Sequence, residues 1–199
     1  MTLRHTSATP LAASCRTALK EWAGVIEAFL RGEQLVLIRK GGLIEPGSGF
    51  ELQAPQFLFY PTFEHQTIAF VREPCRPPFE VALGRKPAAG TLRLGCAGVA
   101  VHAAQVRDPA VITRLEPFHP YNEAFLQQRL KWQPEQPLAV VVVRAFHLPS
   151  VVELPAASHY AGCTSWVELD APVSLEGAVP VLADAAFQDR LQTIRSILL

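Results

Sequence analysis

"LAVVVVRAF", residues 138 to 146, is the stretch on which the fold turns. A continuous β-branched run leaves no alternate position to face water, so a strand here needs cover on both faces. The small and β-branched residues of Thr91–Val106 read as a second long strand or a hairpin, with Gly95 and Gly98 marking bends or close backbone approach. Three shorter runs join them: QLVLIRK (34 to 40), QFLFYP (56 to 61), which Pro61 should end because proline cannot donate to a ladder, and SWVEL (165 to 169).

Helices flank these strands. Leu19, Trp22, Ala23, Ile26, Phe29 and Leu30 recur at three and four, predicting an N-terminal helix from about Ser14 that Gly32 stops. Asp108 followed by Pro109 is an N-cap and first-turn signal for another, and Phe125, Leu126, Leu130 and Trp132 continue an apolar helix or turn. Phe187, Leu191, Ile194 and Leu198 share one side of a C-terminal helix. The proline-rich residues 73 to 90 read mostly as connection. Strands outnumber helices without regular alternation, which predicts an α+β domain rather than a doubly wound one: a mixed or antiparallel sheet, or a small β-barrel, flanked by helices. Residues 1 to 13 are expected to be flexible and 14 to 199 to form a single domain.

Composition narrows the function classes. The 18 basic and 18 acidic residues cancel, so total charge does not demand nucleic acid or an anionic membrane. Residues 61 to 130 are mildly basic and residues 131 to 199 mildly acidic. No apolar run approaches the roughly 20 residues of a membrane span, and no signal peptide opens the chain, so a cytoplasmic protein is expected. Cys15, Cys75, Cys96 and Cys163 are far apart and read as buried thiols; no metal and no cofactor are implied.

Four clusters could carry chemistry. Arg39 and Lys40 at a strand end, followed by Gly41 and Gly42, whose amides an anion can approach closely, suit a phosphate; alternatively they are solvated charges and a turn. Thr62 can cap a turn carrying Glu64, His65 and Gln66. There His65 could act as general base with Glu64 orienting it and Gln66 reading a polar edge, or His65 could simply be bonded within a capped turn. One His and one Glu are too few for zinc. Cys163 has His159 four residues before it but no evident third partner, which favours a buried thiol over a nucleophile. Trp166 and Tyr160 could offer faces for base stacking, or lie in the core. His119 and the pair Lys131 and Trp132 sit around a helix and could face one cleft. No carboxylate precedes a lysine by two residues, which argues against a metal-dependent nuclease of the restriction type.

The blocks "ALKEWAGVIEAFLRGEQLVLIRKGGL" (18 to 43), "FLFYPTFEHQ" (57 to 66) and "YAGCTSWVEL" (160 to 169) resemble the signature blocks of the bacterial family catalogued as domain of unknown function family 1802. The resemblance implies no established activity; members thought to occur beside restriction-endonuclease-like domains hint at nucleic acid. A helix bearing Trp22, the Gly32 turn and a strand ending in Arg39 and Lys40 is also similar to the opening of ASCH domains, whose small barrel is related to the RNA-binding PUA fold. That likeness implies a pocket lined by Arg39 and Lys40.

The expected function is therefore binding of RNA, DNA or a nucleotide in a cleft formed by Arg39, Lys40, Gly41, Gly42, Thr62, Glu64, His65, Gln66 and Trp166. The alternatives are a small-molecule hydrolase or transferase using His65 and Glu64, and an accessory subunit that contacts a protein partner.

Overall fold

The structure, a computed structural model, describes residues 11–40, 52–162 and 164–199. The elements run β1 (Ser14–Trp22), α1 (Ala23–Leu30), β2 (Val36–Arg39), β3 (Gln56–Thr62), α2 (Pro77–Gly84), β4 (Thr91–Val106), α3 (Pro109–Arg114), α4 (Glu123–Lys131), β5 (Leu138–Pro155), β6 (Trp166–Ser174), β7 (Val179–Pro180) and α5 (Asp184–Leu198). Among the described residues the strands form one mixed sheet in the order β2-β5-β4-β3-β1-β6, with β7 on β5. The domain is α+β, and the sheet is not closed into a barrel. The valine run lies in β5, between β4 and β2, and Val140 to Val143 are at most 2% exposed, covered on both faces.

Alternation along the strands divides the core. Leu19, Phe57, Phe59 and Trp166 point into a large cluster with α1, α4 and α5, while their neighbours Ala18, Leu58 and Val167 point into a smaller one with Leu92, Leu94 and Leu169.

Three sequence expectations need correction. The predicted N-terminal helix is a strand as far as Trp22, and only Ala23–Leu30 is helical. The stripe of threes and fours was coincidental across that boundary, because β1 is sandwiched between β3 and β6 and buries alternate sides. Pro61 does not end β3: the ladder to β4 stops at Leu58, and the chain continues beside β1 through Thr62, where a missing donor is tolerated on the open side. The proline-rich connection contains α2, with Pro77 and Pro78 in its first turn, where their missing amides have no helical acceptor to lose.

Helix α1 is held at both ends. A Cβ on Gly24 would stand 2.2 Å from the Phe79 ring, so only glycine lets α2 approach this closely. Gly32 adopts φ +68°, the left-handed conformation that stops the helix.

Candidate anion-binding site

The parallel strands β1 and β3 end side by side, with Glu21 opposite Pro61 and Trp22 opposite Thr62. Thr62 Oγ1 donates to the Glu21 carbonyl at 3.0 Å. Gln66 Oε1 accepts from the Gly24 amide at 2.9 Å, one of the first-turn donors of α1 that has no helical carbonyl. Thr62 and Gln66 are therefore fixed to the β1–α1 junction.

The sheet curls enough that the end of β2, four places from β1 in strand order, meets that same junction. Arg39 Nη1 donates to Glu21 Oε2 at 3.0 Å, and Glu21, only 4% exposed, accepts the Trp22 amide on its other oxygen at 2.8 Å. Tyr121 lies beside this pair. Burial pushes its phenol well up, the Glu21 charge adds to that, and Arg39 and Arg129 oppose it. Its ring stacks on Phe125 at 3.9 Å, with Trp22 edge-on to both.

Helix α4 brings in the remaining charges. Asn122 caps its start by accepting the Phe125 amide, and its last turn carries Arg129 and Lys131. The Arg129 guanidinium lies 5.0 Å from the Phe125 ring centre. Its pKa is lowered, first by burial and then by the like charge of Arg39, against the opposite pull of Tyr121 and Glu21. Its Nε is buried and has no hydrogen-bond partner among the described residues. Lys40 is 3% exposed and donates from Nζ to the Leu130 carbonyl at 3.1 Å, satisfying one of the C-terminal acceptors of α4. Burial lowers its pKa, and Arg107 lowers it further. Arg107, exposed, donates to the Glu135 carbonyl at 2.6 Å, and Lys131 is exposed beside half-buried Trp132.

The result is two pairs of like charges, Arg39 with Arg129 and Lys40 with Arg107, near the end of α4, with Glu21 bonded to Arg39. Like charges repel, and water screens Arg39, Arg129 and buried Lys40 only partly, while Arg107 is exposed.

The other anticipated residues stand elsewhere. Gly41, Gly42 and Cys163 lie outside the described residues. Glu64 and His65 are exposed on a turn in which His65 has φ +60°, and among the described residues no hydrogen bond joins the imidazole to the carboxylate. Trp166 is 8% exposed and meets Phe57 edge-on at 5.5 Å, so its face is filled by core rather than open for stacking. His119 is internal, and His159 bonds Asp170 at 2.9 Å. Lys40 is spent on α4, not turned to a pocket of the kind the ASCH likeness implies. Glu21, Tyr121, Arg107 and Arg129 carried no local sequence signal, except that basic residues ending a capped helix mark where charge collects. Among the described residues no group of three or more His, Cys, Asp or Glu could hold a metal ion, and no helix is long and apolar enough to cross a membrane.

A family model described as "Domain of unknown function (DUF1802)" matches residues 18–193, and the chain belongs to that family. No curated protein and no solved structure matches it.

Proposed function

We propose that this family member binds a phosphate-bearing ligand, nucleic acid or a nucleotide, on the surface where β2 ends against the C-terminal end of α4. The observation that carries the reading is the gathering of cations there: burial lowers Arg129 and Lys40, the nearby charges of Arg39 and Arg107 lower them further, and the Arg129 Nε has no hydrogen-bond partner among the described residues. An anion bound at the exposed ends of these side chains relieves both repulsions, so its binding is favoured by the same charges. Arg129, Arg107 and Lys131 make the contacts. Lys40 contributes field from beneath them, and Arg39 is held in place by Glu21. Backbone phosphates fit better than a base-specific contact, because guanidinium and ammonium groups dominate the surface and the nearby Tyr121 and Phe125 rings are buried.

Binding is the whole of the proposal. Glu64 and His65, the candidate acid and base of the hydrolase reading, stand exposed without a shared contact among the described residues. Titration of labelled RNA, DNA and a nucleotide tests it: affinity falls as salt rises, since phosphate contacts release counterions. Absence of binding to all three at low salt overturns it.

A further inference from the structure

The three tryptophans have unlike surroundings. Trp22 meets Tyr121 and Phe125 edge-on and Trp166 meets Phe57, all within or against the large apolar cluster. Trp132 is half-buried, and among the described residues it belongs to neither apolar cluster and has no ring beside it. An indole left outside the core keeps a flat face for something other than packing.

Its place on the chain supplies the setting. The Trp132 amide donates to the Gln128 carbonyl at 3.2 Å, so the side chain leaves α4 in step with its last turn, three positions after Arg129 and next to exposed Lys131. Gln133 then takes φ +48° and turns the chain toward β5. Two cations pin this segment: Lys40 holds its start at the Leu130 carbonyl, and Arg107 holds its end at the Glu135 carbonyl. The Glu135 side chain is the acidic group on the connection, against Lys40, Arg107, Arg129 and Lys131. Among the described residues the large exposed aliphatic side chains, Ile68, Leu83, Val151, Val179 and Leu199, stand on other elements. Trp132 is thus an aromatic among charges rather than part of the apolar patch that a protein partner covers.

We infer that Trp132 stacks on an unpaired base, so that the ligand of this surface is single-stranded nucleic acid with its phosphates on Arg107, Arg129 and Lys131; the inference rests on the anion-binding reading proposed above. Every base has a π-face, and an aromatic ring flanked by cations combines stacking with phosphate contact, the means by which single strands are held without reading sequence. A duplex keeps its bases stacked on one another and offers Trp132 only its ends. Trp132 therefore discriminates by strandedness, and the cations supply the affinity that both forms share.

Fluorescence anisotropy of the full chain with a labelled oligothymidylate, an abasic strand carrying the same number of phosphates, and a duplex of the same length tests this, with tryptophan emission read in parallel. Wild type binds the oligothymidylate at least about tenfold more tightly than the abasic strand, and of the three only the oligothymidylate quenches tryptophan emission. Trp132→Leu, which keeps apolar bulk without a flat face, loses that preference and the quenching, while its affinity for the abasic strand and its salt dependence stay those of wild type. Trp132→Phe retains most of the preference. Equal wild-type affinity for the two strands, with binding that still weakens as salt rises, overturns the stacking and leaves the phosphate reading in place. A Trp132→Leu variant that keeps the preference, or a duplex that quenches as strongly as the single strand, does the same. No binding of any of the three at low salt overturns both. The comparison of strands in wild type holds whether or not the leucine variant folds.

Discussion

His119 and the end of α4 are two polar regions that α3 and α4 bury, and they resolve the same problem in opposite ways. His119 is 3% exposed, and every hydrogen-bonding atom of its ring is used: the Tyr121 amide donates to Nδ1 at 3.2 Å, which leaves Nε2 to carry the proton and donate to the Ile112 carbonyl at 3.2 Å. Burial, with help from Arg72, lowers its pKa to about 4, so near neutral pH it is an uncharged and fully bonded part of the core. At the end of α4, burial and a neighbouring like charge lower Arg129 and Lys40, and the Arg129 Nε has no partner among the described residues. A buried polar group that is satisfied supports the fold; charge left in excess marks where a ligand can act.

The largest test of this contrast is pH. The folded pKa of His119 lies below its ordinary 6.5, so the unfolded chain takes up the proton first. Its contribution is complete above about pH 6.5 and is lost as pH falls toward about 4, a decline of about 3 kcal/mol. Urea denaturation at stepped pH reads it out, and His119→Gln flattens that part of the profile. A profile that is identical in wild type and variant would break the contrast at its structural end.

Next in size is Glu21→Gln. Removing the carboxylate leaves Arg39 half-buried beside Arg129 without its counter-charge and lowers stability by about 2–3 kcal/mol in the same denaturation experiment. The cationic excess grows, so affinity for a phosphate polymer rises while stability falls. Opposite signs in one variant are expected only if the charge there serves binding. For Arg129→Gln the sign of the binding effect reverses, with about tenfold weaker association in fluorescence anisotropy and a stability change within about 1 kcal/mol. Lys131→Ala is the smallest change: a nearly uniform loss across sequences and a salt slope shallower by about 1.

Much of the fold was legible because it rests on local patterns. The valine run, the long strand over Thr91–Val106, the Asp108 cap, whose carboxylate accepts the Ala110 amide at 2.9 Å, and the stripe on α5 all appear where periodicity and turn chemistry place them. Residues 14 to 22 misled because Leu19 and Trp22 happen to extend the helical spacing of α1, whereas pairing with β3, some 40 residues away, and with β6 decides their state. The candidate site was legible only in Arg39 and Lys40. Arg39 and Lys40 announced themselves as a cation pair, but their partners Glu21, Arg129 and Leu130 are 18, 90 and 90 residues distant and owe their approach to sheet curl and to α4. Adjacent residues also parted, Arg39 to Glu21 and Lys40 to α4, as alternation along a strand requires. Thr62 and Gln66 secure the β1–α1 junction, while Glu64 and His65 between them face solvent.

The central claim is that the cations gathered where β2 meets α4 serve an anionic partner. Anisotropy titration of a labelled single strand with wild type and the double variant Arg107→Gln, Arg129→Gln, at about 50 and about 200 mM salt, measures this most directly. The account predicts binding by wild type that weakens at least about tenfold between the two salts, and a variant that has lost both the affinity and most of the salt dependence. Wild-type and variant curves that coincide at both salts would contradict it.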